Sequence, residues 1–409
     1  MKTILQINTT VNSGSHGRIA EEIGKESMNN GWKSFIAYGR NERPSKSELI
    51  RIGTDYDIKL HGMLTRLFDR HGFGSKSATI NLIKQIEKIN PDIIHLHNIH
   101  GYFLNIEVLF NFLAESDIPV VWTLHDCWAF TGHCAYFDSV GCQRWKTGCY
   151  SCPLKKAYPA SCVIDNSKKN YLDKRALFTS LKNLTIVPVS GWLESLVRDS
   201  FLKEIPVQTI SNGIDLNLFK PTNNNKEVKE SLGITSQFML LGVASIWEIR
   251  KGLDDFIKLS HLLDSNTKIV LVGLNDGQLK KLPSTILGIK RTENISQLAD
   301  LYSAADIVLN LSSEETFGMT TVEGFACGTP GIVYNCTASP ELITPETGLV
   351  VEKGIINDLL AAINTIRNNG KSFYSDHCIN RATKFYDSKA TIESYKTLYN
   401  RLSSIEKNT

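Results

Sequence analysis

Glu315 and Glu323 stand eight residues apart in the stretch Ser313-Glu314-Glu315-Thr316-Phe317-Gly318-Met319-Thr320-Thr321-Val322-Glu323-Gly324. A Phe-Gly turn separates them and leads into the apolar run Val322 to Ala326, the pattern of a helix N-terminus. Such an end offers unpaired backbone N–H groups and the positive pole of the dipole, which together suit an anion. Glu315 then lies in the loop before the helix, and Glu323 about one and a half turns along it. A ligand with a phosphate at the helix tip and hydroxyls on either side fits this arrangement, as a nucleotide sugar would. The run Ala304 to Leu311 before it reads as a buried strand, and Gly331 to Tyr334 after it as another. The two carboxylates are therefore expected at the C-terminal edge of a parallel sheet, where open α/β folds bind ligands.

Three further groups suit the same chemistry. Arg250-Lys251-Gly252 falls between a strand and a helix, where fixed cations beside the Gly318 to Thr320 backbone can hold a diphosphate. His125, in Thr123-Leu124-His125-Asp126, ends a strand and can hydrogen-bond a sugar hydroxyl. The Gly-rich loop Asn12-Ser13-Gly14-Ser15-His16-Gly17-Arg18 follows the first strand and lets a ligand approach the backbone. It lacks the G-x-G-x-x-G fingerprint, and the second strand ends in Tyr38-Gly39-Arg40 with no acidic residue, which argues against a nicotinamide dehydrogenase. His95 and His97 share one face of a strand, with no Cys or carboxylate there to complete a metal site.

The elements that must position these groups repeat one plan. Strand patterns at Thr3–Ile7, Lys33–Tyr38, Ile93–His97, Pro119–Leu124 and Leu184–Val189 alternate with helical ones at Ile19–Asn29, Ala78–Ile89 and Leu104–Glu115. The plan restarts with strands at Phe238–Val243, Lys268–Gly273, Ile307–Leu311 and Gly331–Tyr334, between helices at Leu253–Leu263 and Ile295–Ala304. A short extended piece at Gly348–Val351, a helix at Ile355–Asn368 and a last helical pattern over Ser375–Leu402 follow. Such alternation implies βαβ units and parallel sheets. The expected architecture is α/β, with two doubly wound domains and a cleft between them. The boundaries are 1–190, 191–380, and a C-terminal segment 381–409 that packs back on the first domain.

A chain of 409 residues exceeds one ordinary core. No apolar run approaches the ~20 residues of a membrane span, and Met1 to Ile7 enters a strand without a signal-peptide core. The expected location is the cytoplasm, with reduced thiols unless they bind metal. The net charge is +3, and residues 1–190 hold 23 Lys and Arg against 17 Asp and Glu, leaving the remainder acidic. A basic first half suits an anionic membrane surface or a phosphorylated substrate, but is too weakly charged for nucleic acid.

Cysteines crowd residues 127–162. Cys149-Tyr150-Ser151-Cys152 is compatible with two thiolates on a structural zinc, which Cys134 and Cys142 would complete. Their spacing departs from a standard paired knuckle, so reduced or disulfide-paired cysteines remain the alternative.

Taken together these motifs resemble the retaining glycosyltransferase family 4, of the GT-B type with two Rossmann-like domains, over nearly the whole chain. Glu315 to Glu323 matches its E-x7-E motif with the internal Phe-Gly, and Gly328-Thr329-Pro330 its following Gly-x-Pro. Lys251-Gly252 matches its Lys-Gly, His125 its Thr-x-His-Asp, and Gly14 to Gly17 its N-terminal loop. Ser211-Asn212-Gly213-Ile214-Asp215 with Phe219-Lys220-Pro221 looks like its interdomain segment.

The resemblance implies a transferase using a nucleotide-sugar donor. Lys251, helped by Arg250, would bind the diphosphate, Glu315 the sugar and Glu323 the ribose. Amides of Phe317, Gly318, Met319 and Thr320 would cradle phosphate or sugar oxygens, with His125 lining the transfer site. Gly14, Ser15, His16, Gly17 and Arg18 would form the acceptor-side loop. No catalytic cofactor is implied. The family usually has an Arg a few residues before its Lys, where Ser245-Ile246 stands here. The Cys-rich insertion looks like that of bacterial surface-polysaccharide transferases of capsule, O-antigen, lipopolysaccharide or colanic-acid type. The implied acceptor is a glycan or an undecaprenyl-diphosphate-linked oligosaccharide, met at the cytoplasmic face of the inner membrane. Rival readings are a nucleotide-sugar epimerase of the same fold, and a catalytically silent scaffold organised by the cysteines.

Overall fold

A computed structural model of the chain describes residues 1–234 and 237–404; positions 405–409 of the expected C-terminal segment lie outside them. The chain forms two compact units, one of Met1–Ile210 with the chain from Ile392 onward, the other of Ser211–Thr391.

The first unit runs β1 (Thr3–Asn8), α1 (Gly14–Asn29), β2 (Lys33–Tyr38), β3 (Glu48–Arg51), α2 (Asp55–Phe68), α3 (Lys76–Ile89), β4 (Ile93–Leu96), α4 (Ile106–Glu115), β5 (Val120–Leu124), α5 (Ser167–Phe178), β6 (Leu184–Pro188) and α6 (Gly191–Asp199). Its sheet is parallel in the order β3-β2-β1-β4-β5-β6. β1, β4, β5 and β6 are buried along their whole length, as strands covered on both faces must be, which is why they read as largely apolar runs rather than alternating ones.

The second unit runs α7 (Asn225–Ser231), β7 (Phe238–Val243), α8 (Leu253–Ser260), β8 (Thr267–Val272), α9 (Asp276–Leu279), β9 (Ile286–Ile289), α10 (Ile295–Ala304), β10 (Ile307–Asn310), α11 (Met319–Ala326), β11 (Gly331–Tyr334), β12 (Gly348–Val351), α12 (Ile356–Asn369) and α13 (Lys371–Phe385). Its parallel sheet has the order β12-β11-β10-β7-β8-β9. Counted from its own first strand this is the first unit's order again, the doubly wound Rossmann order. In each unit the strand order reverses beside the first strand, between β1 and β4 and between β7 and β10, and a ligand crevice opens there at the carboxyl ends.

Several sequence-based boundaries move. The first unit extends past 190 because residues 206–210 run along β6: Ile186 N–H donates to Pro206 O, Gln208 N–H to Ile186 O, and Ile210 N–H to Pro188 O. The helical pattern over Ser375–Leu402 is two helices, α13 and α14 (Ser388–Ser404). The break is tertiary in origin. Ile214 N–H donates to Tyr386 O and Ser388 N–H to Ile214 O, with Gly213 so close that a Cβ there would lie 2.4 Å from the Ser388 Cα. From Ile392 on, α14 lies in the first unit, and Tyr395, Leu398 and Tyr399 share its core with Ile4, Ile23, Ile93 and Val121.

Candidate active site

In the second unit the loops after β7 and β10 bring the expected cations and carboxylate together. The Lys251 ammonium ion-pairs with the Glu315 carboxylate, and both side chains are largely buried. The approach depends on Gly252: its φ is +74°, and a Cβ there would sit 2.2 Å from the Leu311 carbonyl oxygen. Burial alone would raise the Glu315 carboxyl, but the Lys251 charge and hydrogen bond, the Arg250 charge and a bond from Ser312 hold it below its ordinary value. Glu315 is thus an anion poised to accept hydrogen bonds. Its own N–H donates to Thr337 Oγ1 at 2.9 Å, and its carbonyl accepts from Ala338 N–H at 3.2 Å, so the loop is fixed from both sides.

Arg250 reaches the same loop. Its guanidinium donates to the Glu314 carbonyl at 3.2 Å and to Glu248 at 3.0 Å, while Ser313 N–H donates to Arg250 O at 2.8 Å. It braces the carboxylate loop from the side of Lys251.

Gly318, at φ +104°, precedes α11, which has neither a side-chain cap nor an acidic residue in its first turn. The amides of Met319 and Thr320 lie at its tip, the kind of helix end that suits an anion. Phe317 is buried behind the turn and packs edge-on against Tyr386, with ring centroids 5.6 Å apart. Glu323 is buried within α11 and accepts from Tyr302 Oη at 2.8 Å. Tyr302, Ser312 and Thr337 are the holding residues that sequence reasoning missed. Tyr302 and Thr337 reach their carboxylate residues only through the fold, so no local pattern marked them, whereas Ser312 stands three residues before Glu315.

In the first unit the expected acceptor-side loop is the first turn of α1, not a loop: the helix begins at Gly14 and includes Ser15, His16, Gly17 and Arg18. Gly17 lets that turn press on the end of β1, since a Cβ there would meet Thr10 Oγ1 at 2.8 Å. Ser15 is exposed, and Arg18 folds back to donate to the Gly14 carbonyl. His16 turns inward, sharing a 2.9 Å hydrogen bond with Asn8 and lying 5.9 Å, ring to ring, from His125.

His125 in turn shares a 3.4 Å contact with His97, which bonds Gln6 at 3.0 Å. Burial, reinforced by the charges of neighbouring histidines, pushes His125 and His97 well below the ordinary imidazole value, and His16 to about 4. His125 is a neutral ring at physiological pH. Beside it His100 and Asp126 pair at 2.8 Å.

Cys134, Cys142, Cys149 and Cys152 line one cavity with His133. All nine cysteines are free thiols. Among the described residues no three His, Cys, Asp or Glu side chains are placed to hold one metal ion. Instead Cys134 hydrogen-bonds Cys152, which pulls the Cys152 thiol down to about 7 against its burial, while burial raises Cys149 to about 11. Lys174, fully buried, ties the segment down by donating to the carbonyls of Trp128 at 2.8 Å and Thr131 at 3.0 Å.

Residues 17–218 match the model of Glycosyltransferase Family 4, and residues 237–369 that of Glycosyl transferases group 1. WcaC of Escherichia coli K12, provisionally assigned as a colanic acid biosynthesis glycosyl transferase, is 30% identical over 228 residues. That stretch is 52% of this chain and 55% of WcaC, so the chain spans about half the length of this relative. Among solved structures, sucrose-phosphate synthase from Thermosynechococcus elongatus superposes with a TM-score of 0.75 at 18% identity, over 98% of this chain and 99% of its own. Anabaena HepE in complex with UDP-glucose superposes with a TM-score of 0.69 at 16% identity, over 98% and 100%. At such identities these two likenesses speak for the fold.

Proposed function

Because this chain belongs to the family 4 glycosyltransferases of GT-B fold, we propose that it takes a sugar from a nucleotide-sugar donor, with retention of configuration, in the assembly of a surface polysaccharide. The proposed acceptor is a glycan or an undecaprenyl-diphosphate-linked oligosaccharide. The observation that carries this reading is the Lys251–Glu315 pair beside the uncapped start of α11, with Glu323 buried further along the same helix.

Lys251 and the Met319 and Thr320 amides take the donor diphosphate, and Arg250 holds the carboxylate loop in register. Glu315 accepts hydrogen bonds from the sugar hydroxyls, and Glu323 from the ribose. The acceptor hydroxyl attacks the anomeric carbon on the face from which the diphosphate departs. The bond from that carbon to the phosphate oxygen breaks, a new carbon–oxygen bond forms, and the leaving phosphate oxygen takes the acceptor proton. Cationic and amide donors fixed at that oxygen lower the barrier, each supplying about 3 kcal/mol in comparable sites. His125, neutral and held by His97, serves the acceptor side as a hydrogen-bonding ring. WcaC's assignment to colanic acid synthesis and the UDP-glucose held by HepE support the donor and pathway class.

A thermal-shift screen of nucleotide sugars tests this. A true donor at a hundred times Kd adds about 2.7 kcal/mol of stability, and no response to any nucleotide or nucleotide sugar would overturn the reading. An inverted anomeric product would overturn the retaining mechanism.

A further inference from the structure

Helix α2 is turned inside out. Its buried face is His61, Gly62 and Thr65. His61 Nε2 accepts from the amides of Gly72 at 3.1 Å and Gly74 at 3.2 Å, and Thr65 donates to the His61 carbonyl at 2.9 Å. Its outward face carries Tyr56, Leu60, Met63 and Leu67, all exposed, with Met63 at 49%. At 100° per residue these four fall within about 60° of arc, a continuous apolar stripe facing away from the unit's core.

A second segment extends the stripe. Cys162 N–H donates to Arg66 O at 2.8 Å, and the Asn166 side chain to Phe68 O at 2.7 Å, which fastens residues 162–166 to the end of α2. That segment exposes Val163, at 62%, and Ile164.

Four cationic side chains flank this patch. Exposed Lys59 and Arg66, seven residues apart, run along one margin of the stripe. Lys155 reaches into the second segment, donating to Val163 O at 3.1 Å, with exposed Lys156 beside it. The nearby acids are engaged: Asp55 pairs with Arg51, Asp57 accepts from the Thr54 amide at 2.8 Å, and Asp165 accepts from the amides of Cys152 at 2.6 Å and Ser167 at 2.9 Å. An apolar stripe with long cationic side chains along its margin is what an interfacial helix needs: apolar groups enter the acyl boundary while Lys and Arg snorkel to acidic headgroups. α2 has 14 residues, about 21 Å, and among the described residues no helix is long and apolar enough to cross a membrane.

We propose that the outward face of α2, with Val163 and Ile164, docks this protein on a membrane rich in acidic phospholipid. The proposal rests on the reading above only for its purpose, a lipid-linked acceptor; its test needs neither donor nor acceptor.

The full chain should co-sediment with vesicles of phosphatidylcholine mixed with phosphatidylglycerol, less with phosphatidylcholine alone, and less as salt rises. Leu60→Glu/Met63→Glu should weaken this binding roughly tenfold or more, and Lys59→Glu/Arg66→Glu should remove the preference for acidic lipid. Both pairs are exposed, so circular dichroism spectra and melting temperatures should match the parent. If Leu60→Glu/Met63→Glu unfolds the chain, Met63→Ser/Leu67→Ser makes the same comparison. Equal pelleting of parent and folded variants overturns the proposal. So does a parent that ignores vesicles and is a dimer which the apolar variants make monomeric, since the patch then covers a second copy.

Discussion

Lys251 and Glu315 form an ion pair after the two adjacent central strands of the second unit, β7 and β10. Each satisfies the other. On the proposed reading, the donor diphosphate takes over the ammonium and frees the carboxylate for the sugar.

Removing one partner should cost more than removing both. Lys251→Met leaves a largely buried carboxylate with only the Arg250 charge and the Ser312 bond, and should destabilise by about 2 kcal/mol, below the ~3–5 kcal/mol of a fully enclosed pair. Lys251→Met/Glu315→Leu should recover most of that stability and none of the transfer. Additive single losses in chemical denaturation would refute the coupling. The Glu315 carboxyl is held below its ordinary 4.5, so its contribution is complete above that value and disappears as the pH falls through the depressed folded value.

The two carboxylates should separate in binding. Glu315→Ala should lose transfer by ~100-fold or more while keeping affinity for the bare nucleoside diphosphate. Glu323→Ala, which also strips the Tyr302 hydroxyl of its acceptor, should weaken nucleotide and nucleotide sugar alike. Calorimetric titrations showing equal loss of bare-nucleotide affinity in both variants would refute the division of roles.

Acid should unfold the protein early. Burial lowers His16 and His61 to about 4 and His95 to about 3, and holds His71, His97 and His125 well below 6.5. The unfolded chain takes up these protons as the pH drops below 6.5, whereas the folded chain does not. Stability is thus present above 6.5 and is lost as the pH falls toward the folded values, by up to ~1.4 kcal/mol per unit for each ring. His133 has the opposite sign: its raised value, sustained by Asp69 against burial, favours folding below 6.5. His61→Gln keeps an acceptor for the Gly72 and Gly74 amides and should flatten the profile. A melting temperature unchanged between about pH 7.5 and pH 5.5 would defeat this account.

Cys152 should be the reactive member of the cysteine cluster. Its thiol, lowered to about 7, should react with iodoacetamide at neutral pH well before buried Cys134 or Cys149, as peptide mass spectrometry would show. Exposed Cys162 provides an internal reference. Stoichiometric zinc in the purified protein, with Cys152 protected, would instead show a four-thiolate site.

The sheets' central strands were legible because burial on both faces leaves largely apolar runs, as in Thr3–Asn8 and Phe238–Val243. The edge strands β3 and β9 were not: each has four residues, and only one in each is buried. Helix α2 escaped notice for another reason. Its apolar period points outward, and its clearest signal is the Thr54–Asp57 capping box rather than a core face. The E-x7-E spacing and Lys251 could be read from order alone, because a loop and a helix start carry them. The Tyr302 and Thr337 contacts could not, since they join residues 21 and 22 positions away in sequence.

The last helix has a consequence for how the molecule is made. Tyr395, Leu398 and Tyr399 fill the first unit's core, and the Tyr399 hydroxyl shares a 2.6 Å hydrogen bond with His95 beneath its central strands. On the ribosome, the residues that begin this unit emerge long before those that seal it. The second unit, contained within Ser211–Thr391, can close while the first still waits. The half of the protein synthesised first is therefore the half finished last, and a nascent chain halted before Ile392 would hold a complete second unit and a first unit with an open core.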